Sequence, residues 1–284
     1  MDEFIKKSDI LIEALPYIQQ FQGRVIVAKY GGSAVDNPAA MRGILQDLVF
    51  LSAVGIHPVL VHGGGPAITQ KLAALGQKSA FIDGMRVTDR AAMRVVYEAL
   101  NEVNRRRLVH QIQELGGAAE GITPPRTVVT AAPHPRAAEL GFVGTVKTIH
   151  AAPLRHAFTR RVIPVLSPVG LGTDGQLYNI NADDVASEVA ARLNAEKLVL
   201  LTNVRGILRQ AGDVSSLIST LSTKEAKILM ERQVIQEGMI PKVGACIGAL
   251  RGGVKKTHVI DAALPHAMLL EIFTKKGIGT EILK

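Results

Sequence analysis

Short apolar runs, each bounded by glycine, proline or polar residues, recur along the chain. They occupy residues 25–28, 59–61, 162–166, 198–201 and 259–260. None alternates polar and apolar positions. Continuous apolar strands are typical of a parallel sheet whose two faces are both covered by helices.

Helical segments are predicted between these runs. Residues 38–54 and 66–75 each carry a proline in the first turn, and Asp89 can cap a helix that continues to residue 115, before two glycines. Further helices are predicted at 183–194, 223–232 and 241–251. The strand–helix alternation predicts an α/β fold, a three-layer αβα sandwich around a central, mainly parallel sheet, organised in two lobes.

The middle of the chain departs from this pattern. Prolines punctuate residues 121–144, and an Asp-Gly pair at 174–175 signals a tight turn, so hairpins and loops are predicted there. A soft boundary near residue 175 divides the chain into a lobe at 23–175 and a second lobe at 176–284.

An N-terminal arm at residues 1–22 precedes the first predicted strand. It carries apolar residues such as Leu11 and Leu15, and Pro16 is expected to interrupt a helix in this region. The pattern is compatible with a plain arm and with a contact in a homo-oligomer.

The composition and net charge indicate which kinds of ligand the chain binds. The chain has 284 residues and a net charge of +8, but aromatic residues make up only 4%. Since aromatic side chains that could stack on bases are scarce, we expect no nucleic acid partner, and the excess of basic residues suits anionic ligands.

No apolar run approaches the roughly 18–20 residues that span a bilayer, and the start is acidic, so a soluble, cytoplasmic protein is expected. The single cysteine, Cys246, is predicted to fill a helix interior.

Two glycine-rich segments directly follow apolar strands. They are residues 29–33 (Lys-Tyr-Gly-Gly-Ser) and 62–66 (His-Gly-Gly-Gly-Pro). Glycines let backbone N–H groups approach an anion, and the start of the next helix adds a positive dipole end. Lys29 ends its strand on the side where open α/β sheets bind ligands. His62 is the one histidine that this pattern places near a site.

Three other segments carry candidate chemistry. Arg86, in 83–89, offers a planar fork for a carboxylate. In 179–184 (Asn-Ile-Asn-Ala-Asp-Asp), alternate polar side chains point to one side if the chain is extended, although such a cluster also caps helices. Lys242 begins a helix, an unfavourable position for a cation unless a phosphate binds there.

Other nucleotide and catalytic motifs are excluded. The Gly-x-Gly-x-x-Gly match at 170–175 is not followed by a predicted helix, and the chain contains no Gly-Lys pair, so it has neither a dinucleotide fingerprint nor a Walker A loop. The sequence also lacks the His-Glu-x-x-His and Gly-x-Ser-x-Gly patterns.

Six segments, in this order, resemble the amino-acid kinase family. They are residues 29–32, 62–66, 84–89, 179–183, 201–208 and 238–242. Within the family, the combination is similar to the branch that phosphorylates the γ-carboxylate of N-acetyl-L-glutamate in arginine biosynthesis. The resemblance covers nearly the whole chain.

The resemblance implies that the first lobe binds N-acetyl-L-glutamate and the second binds ATP, which carries Mg²⁺. It implies that the catalytic residues are Lys29, Lys242 and Asp183. It implies that the substrate contacts are Gly64, Gly65, Arg86 and Asn179. It implies that the nucleotide contacts are Gly31, Gly32, Asn203, Val204, Arg205, Gly206, Ile207, Leu208, Val234, Ile235 and Gln236.

The chain ends resemble a feedback-inhibited branch of the family. Residues 265–273 and 277–280 are similar to its arginine-site signature, which implies L-arginine as an inhibitor. By this resemblance the arginine contacts are Tyr17, His266, Glu271 and Gly277. Residues 15–18 resemble the helix that links dimers into hexamers, so a homo-oligomer is expected, either a dimer or a hexamer built as a trimer of dimers.

Three segments differ from the family pattern. Residues 122–127 replace a Leu-Ser-Gly-Lys-Asp-Gly run, Asn203 replaces an aspartate, and Glu237 replaces a glycine. Two alternatives therefore stay open. One is a family member that acts on free glutamate, aspartate, carbamate or uridylate. The other is a non-catalytic arginine sensor or partner-binding protein.

Overall fold

The computed structural model describes residues 2–31, 37–122, 128–236, 238–274 and 277–284. Its α-helices are α1 (Asp2–Phe21), α2 (Pro38–Ala53), α3 (Gly65–Ala74), α4 (Arg90–Tyr97), α5 (Arg106–Glu114), α6 (Ala137–Leu140), α7 (Ala152–Thr159), α8 (Ala182–Arg192), α9 (Thr223–Glu231), α10 (Met239–Arg251) and α11 (Ala267–Ile272). Its strands are β1 (Val25–Tyr30), β2 (His57–His62), β3 (Phe81–Ile82), β4 (Met85–Arg86), β5 (Ala119–Ile122), β6 (Val129–Pro133), β7 (Gly144–Ile149), β8 (Ile163–Leu166), β9 (Val169–Gly172), β10 (Leu177–Asn179), β11 (Lys197–Thr202), β12 (Thr220–Ser222), β13 (Lys256–Asp261) and β14 (Thr280–Leu283). A π-helix (Glu98–Arg105) joins α4 to α5, and a 3₁₀-helix (Val214–Ser216) precedes β12.

An eight-stranded sheet forms the middle layer, in the order β12-β14-β13-β11-β1-β2-β8-β5. All neighbours pair in parallel except β13 and β14. The five apolar runs predicted as strands lie in β1, β2, β8, β11 and β13, which confirms the expected buried, mainly parallel sheet.

The two faces of this sheet pack against different helices. Val27 and Leu198 share one core with residues of α8 and α10, whereas Ile26 and Val199 share the other with α2 and α5. Successive strand residues thus face opposite layers, as the pleat requires. This arrangement confirms the predicted three-layer αβα sandwich. Cys246 is fully buried in α10, and burial raises the pKa of its thiol to about 12.

The predicted hairpin region folds into a second, four-stranded sheet in the order β10-β9-β6-β7. Strands β9 and β10 form an antiparallel hairpin, and Gly175 occupies its turn with φ +76°. This geometry confirms that the Gly-x-Gly-x-x-Gly match at 170–175 is a hairpin. The predicted lobe boundary near residue 175 falls within this turn, and the division into lobes stays a prediction. The altered segment 123–127 lies outside the described residues.

The helix predicted from Asp89 to residue 115 is interrupted by the π-helix. Asp89 caps its start as expected, since its Oδ1 accepts from the N–H of Ala92 at 2.7 Å. Further along, the buried amide of Asn101 donates to the carbonyl of Tyr97 at 3.2 Å and accepts from the hydroxyl of Ser167 at 2.6 Å. These contacts favour the wider turns of the π-helix, which propensity alone does not signal.

The prediction that Pro16 breaks the N-terminal helix is wrong, because α1 continues through it. Pro16 removes the N–H that would reach the carbonyl of Ile12, and Ile12 is 67% exposed. Solvent can therefore satisfy that carbonyl, and the helix tolerates the proline. Among the described helices, none is long and apolar enough to cross a bilayer.

Candidate active site

A cleft opens at the carboxyl ends of β1 and β2, where both strands run into glycines. It encloses about 530 Å³. Its walls include the predicted residues Lys29, Gly64, Gly65, Arg86 and Asn179. Side chains from segments far apart in the sequence therefore meet at one edge of the main sheet, where ligands bind in open α/β folds.

Two lysines converge on one carboxylate beside this cleft. Lys29 Nζ lies 2.9 Å from Asp183 Oδ1, and Lys242 Nζ lies 3.2 Å from Asp183 Oδ2. Lys29 ends β1, Asp183 lies in the first turn of α8, and Lys242 lies near the start of α10. Burial disfavours the charged form of Asp183, but the two lysines outweigh it and hold its pKa below the usual value. Asp183 is therefore an anion that fixes two cations at the end of the cleft.

One glycine of each segment lies close to its surroundings, and at Gly64 the space excludes a side chain. A Cβ at Gly31 would lie 3.0 Å from Lys29 Nζ and 3.3 Å from the Cα of Gly63. A Cβ at Gly64 would lie 2.5 Å from Leu100 Cδ2 and 2.6 Å from Asn104 Nδ2. Leu100 and Asn104 belong to the π-helix, which therefore forms the back wall of the second glycine segment.

This close packing leaves two backbone donors free. The N–H of Gly63 donates to the carbonyl of Tyr30 at 2.7 Å, and the carbonyl of Gly64 accepts from Ile68 at 3.0 Å. Among the residues that the structure describes, the N–H groups of Gly64 and Gly65 have no acceptor. Adjacent N–H groups at a helix start can bind an anion.

Arg86 lies in β4 and lines the cleft, and its guanidinium is held by hydrogen bonds. Its Nη2 donates to the carbonyl of Gly65 at 3.0 Å and to Thr69 Oγ1 at 2.8 Å, and its Nη1 contacts Ser79 Oγ. The guanidinium carbon also sits 4.6 Å from the ring centre of Phe81. Such a held, planar cation is suited to pairing with a carboxylate.

The polar segment before α8 both lines the cleft and caps the helix, as the sequence predicts. Asn179 lines the cleft and donates to Thr88 Oγ1 at 3.3 Å. Asn181 also lines the cleft, and its side chain caps α8 by accepting from the N–H of Asp183 at 2.8 Å. The chain is extended to residue 181 and helical from Ala182, so Asp183 reaches the lysines from a helix.

Sequence reasoning missed several residues of the cleft wall, of which Asp184 matters most for charge. Its carboxylate lines the cleft next to Pro241. Burial, with the neighbouring carboxylates of Asp183 and Glu188, raises the pKa of Asp184 to about 6. The Asp-Asp pair at 183–184 is a signal in the sequence, but such a pair is also typical of a helix start. Other wall residues that were missed are Phe81, His134, Val143, Thr145 and Pro168.

The predicted nucleotide residues 203–208 directly follow β11, the strand next to β1, whereas residues 234–236 follow α9. Leu201 of β11 pairs with Tyr30 of β1, so the chain after β11 and Gly31 leave the sheet at the same edge. Asn203, Val204 and Arg205 are exposed there. The other predicted nucleotide residues that the structure describes are Gly206, Ile207, Leu208, Val234, Ile235 and Gln236.

Some of these residues have structural partners. Ile207 is buried, and its N–H donates to Thr280 Oγ1 at 2.8 Å. Gly206 adopts φ +145°, which favours glycine, and Ile235 is buried in the core. Gly32 and Glu237 lie outside the described residues, so the nucleotide contacts stay a prediction.

A second cavity, of about 220 Å³, brings together three of the four predicted arginine residues. Tyr17, Glu271 and Gly277 line it together with Lys197 and His258. Lys197 Nζ and His258 Nε2 are 3.2 Å apart, and His258 Nδ1 lies 2.7 Å from Glu271 Oε1. The contact with His258 and two backbone N–H donors hold the pKa of Glu271 below its usual value, against the effect of burial.

The structure places the side chain of His266 elsewhere. Its Nδ1 lies 2.6 Å from Oδ1 of the buried Asp47 in α2, and Asp47 Oδ2 accepts from the N–H of Met268 at 3.1 Å. His266 therefore helps to attach the start of α11 to α2. Its assignment to an arginine site stays a prediction.

Known proteins resemble this chain over nearly its whole length. A model of the amino acid kinase family matches residues 24–261. An acetylglutamate kinase from Heliobacterium modesticaldum is 46% identical over 291 residues, covering 99% of this chain and 99% of that protein. An acetylglutamate kinase from a Synechococcus species is 47% identical over 279 residues, covering 98% of this chain and 89% of that protein.

Solved structures share the architecture. The N-acetylglutamate synthase of Neisseria gonorrhoeae, solved with coenzyme A and N-acetyl-glutamate, superposes with a TM-score of 0.86 at 29% identity. The match covers 96% of this chain and 62% of the longer synthase chain. The same synthase solved with coenzyme A and L-arginine superposes with a TM-score of 0.79 at 27% identity, covering 96% of this chain and 64% of that chain.

Proposed function

This chain belongs to the amino acid kinase family, and on that premise we propose that its cleft transfers the γ-phosphoryl group of ATP to the γ-carboxylate of N-acetyl-L-glutamate. The product is N-acetyl-L-glutamyl 5-phosphate, an intermediate of arginine biosynthesis. The observation that carries the proposal is the convergence of Lys29 and Lys242 on Asp183 beside two free N–H groups. Relatives that match almost the whole chain bear the name of this activity.

The chemistry explains why the cleft needs no general base. A side-chain carboxylate is ionised near neutral pH and can attack phosphorus directly. Phosphoryl transfer then depends on alignment and on stabilising the charge of the equatorial oxygens. Lys29 and Lys242 provide positive charge, and Gly64 and Gly65 provide N–H donors. In this account Asp183 holds both lysines in place and does not itself exchange a proton.

Arg86 and Asn179 are proposed to select the amino acid. The guanidinium pairs with the α-carboxylate, and the amide of Asn179 contacts the substrate from the neighbouring wall. Gly31, together with residues 203–208 and 234–236, is proposed to hold ATP at the same edge of the sheet. Gly31 and residues 203–208 come directly after β1 and β11, two paired strands, and this position supports their assignment.

The cleft also suits the Mg²⁺ that accompanies ATP. Mg²⁺ prefers oxygen ligands, one or two carboxylates together with phosphates and water. Asp184 presents a carboxylate on the cleft wall, and no ion pair to it occurs among the described residues. Across those residues, no three His, Cys, Asp or Glu side chains form a metal-binding group. We therefore assign the ion to the phosphates, with Asp184 as its protein ligand, and its chemical contribution is to neutralise phosphate charge.

A substrate panel with ATP tests the assignment. We expect ADP formation with N-acetyl-L-glutamate, and none with free glutamate, aspartate, carbamate or UMP. Turnover of one of those compounds, without turnover of the acetylated amino acid, would assign the chain to another branch of the family. Binding of arginine without any turnover would support the sensor alternative instead.

Arg86→Lys tests the proposed contact with the α-carboxylate. We expect KM for N-acetyl-L-glutamate to rise by about 10- to 100-fold, since a hydrogen bond to a charged group contributes about 1.5–3 kcal/mol. KM for ATP should change little, because neither Arg86 nor its side-chain partners Ser79 and Thr69 belong to the proposed nucleotide contacts. Arg90→Lys, an exposed arginine of the same lobe, is the matched control. An equal rise in both KM values would contradict the assignment.

The second cavity is proposed to bind L-arginine as an inhibitor. Lys197 suits the α-carboxylate, and Glu271 and Glu281 suit the guanidinium. All three side chains line one cavity beside Tyr17 of α1. The synthase of Neisseria gonorrhoeae, which shares this fold, was solved with L-arginine.

Millimolar arginine should reduce turnover by the wild-type protein. Glu281→Gln should raise the arginine concentration for half inhibition by about tenfold or more, because one charge-assisted hydrogen bond is lost. Basal kcat should be unchanged, since Glu281 lines the second cavity and does not line the cleft. Glu114→Gln, an exposed change in α5, is the control. Turnover that is insensitive to millimolar arginine would refute this proposal without affecting the kinase assignment.

The N-terminal helix supports the proposed homo-oligomer. Ile10, Leu11 and Ile12 of α1 are each at least 64% exposed. A cluster of exposed apolar residues on a helix marks an interaction surface. We assign it to contacts between copies of this chain, either in a dimer or in a hexamer of three dimers.

A further inference from the structure

In the glycine segment after β2, the N–H groups of Gly64 and Gly65 have no acceptor among the described residues, and one buried side chain determines the direction of the first. His62, the last residue of β2, is 1% exposed. Its Nδ1 lies 3.0 Å from the carbonyl oxygen of Gly63. A carbonyl oxygen can only accept, so Nδ1 carries the proton and His62 is the donor.

This bond fixes a peptide group of the cleft wall. In a planar trans peptide the C=O and the following N–H point in opposite directions. Because the carbonyl of Gly63 is directed to the buried imidazole, the N–H of Gly64 is directed away from it. The residue on each side of that peptide is also fixed, by the bonds of Gly63 to Tyr30 and of Ile68 to Gly64.

We propose that His62 is a positioning residue of the reaction, a neutral Nδ1–H donor that aims the N–H of Gly64 into the cleft. Glycines are free to rotate, so Gly63 and Gly64 do not impose this direction on their own. Among the described residues, His62 is the side chain that fixes the direction of this peptide group. The proposal rests on the proposed function, in which Gly64 holds the substrate.

The surroundings of the imidazole keep it neutral. Burial lowers the pKa of His62 to about 4, the Gly63 contact opposes this, and the cations Arg105 and Arg107 lower it further. Because the neutral form dominates above that pKa, the Nδ1–H donor is present throughout the working range of an enzyme at neutral pH. Among the described residues, Nε2 has no hydrogen-bond partner, so the Gly63 contact alone selects the tautomer.

A pair of substitutions separates positioning from packing. In His62→Asn the amide nitrogen takes the place of Nδ1, whereas in His62→Gln it reaches the place of Nε2. We expect His62→Asn to keep KM for N-acetyl-L-glutamate within about threefold of the wild type, and His62→Gln to raise it by about tenfold or more, since a directed donor is lost. KM for ATP should stay within about threefold in both. His57→Gln, at the other end of β2, is the control and should leave all constants unchanged.

A spectroscopic measurement provides a readout that does not need turnover. In ¹⁵N–¹H correlation spectra of the full chain, the His62 imidazole should appear as the neutral Nδ1–H tautomer from about pH 5.5 to 8.5. An Nε2–H tautomer, or an imidazolium in that range, would overturn the proposal. So would equal KM values for His62→Asn and His62→Gln at equal melting temperature. Failure of the wild type to phosphorylate N-acetyl-L-glutamate would instead refute the proposed function. The tautomer of His62 is measured without turnover, so the two failures can be distinguished.

Discussion

Replacing Lys242 with alanine is expected to lower kcat by about 10²-fold or more, which corresponds to about 2.7 kcal/mol of transition-state stabilisation. The ammonium group of Lys242 lies 3.2 Å from Asp183 and is only partly exposed. It sits in the first turns of α10, where the helix dipole disfavours a cation. This position of Lys242 is unfavourable in the free protein. It is explained if the lysine binds the negatively charged phosphoryl group during transfer.

Steady-state kinetics with saturating ATP and N-acetyl-L-glutamate measure this effect. KM values should change less than kcat, because the charge that Lys242 stabilises is greatest in the transition state. Lys255→Ala, an exposed lysine beyond the other end of α10, is the matched control and should retain full activity. A loss of less than tenfold in kcat would show that Lys242 has no major role in the transfer.

Asp183→Asn is expected to lower kcat by about 10²-fold and also to destabilise the fold. Asparagine cannot neutralise Lys29 and Lys242, so the buried ammonium of Lys29 and the partly exposed ammonium of Lys242 would repel each other and move apart. A misplacement of about 1 Å can cost about 10²-fold in rate. Removing one partner of a buried ion pair destabilises by about 3–5 kcal/mol, because the other charge is left uncompensated.

The stability effect of Asp183→Asn should depend on pH in a defined direction. The pKa of Asp183 is lowered in the folded state, so its charge contributes stability above its unfolded pKa of about 4. That contribution is lost as pH falls through the lower, folded pKa. The difference in unfolding free energy between wild type and variant should therefore be full at neutral pH and shrink in acid.

Urea unfolding at several pH values tests this dependence. Asp184→Asn is the matched control for stability, because the neighbouring carboxylate has a raised pKa and no ion pair among the described residues. Its removal should not destabilise the protein at neutral pH. A constant difference between wild type and Asp183→Asn from neutral pH to strong acid would contradict the account of the lysine pair.

The central sheet could be predicted because its strands are continuous apolar runs. Residues 25–28 and 198–201 are short apolar runs between polar residues, a pattern typical of strands buried on both faces, and they pair with each other in β1 and β11. The glycines after β1 and β2 could be assigned to an anion site for a physical reason as well. A turn requires one glycine, so further glycines indicate close approach of the backbone, which the structure shows for Gly64 at Leu100 and for Gly31 at Lys29.

The π-helix could not be predicted, because its cause is tertiary. Residues 98–105 have ordinary helical composition, and the bond between Asn101 and Ser167 joins positions 66 residues apart. The same limit applies to His266, whose motif suggested a ligand contact. Its side chain pairs with Asp47, 219 residues away, and no local pattern reports that contact.

The short edge strands were missed for a different reason. Strand β12 has three residues and β14 has four, and neither forms a continuous apolar run. Runs this short carry too few positions for periodicity to distinguish a strand from a loop. Strand β14 pairs with β13, and β12 pairs with β14, so pairing and not local sequence makes them strands.

A crystal structure with ADP, aluminium fluoride and N-acetyl-L-glutamate would test the central claim most directly. The account predicts that the ammonium groups of Lys29 and Lys242 both lie within about 3 Å of the planar fluoride that stands in for the phosphoryl group in transfer. The γ-carboxylate should lie in line with it, and the N–H of Gly64 should face the bound ligands. A complex in which either lysine is directed away from the fluoride would contradict the proposed mechanism.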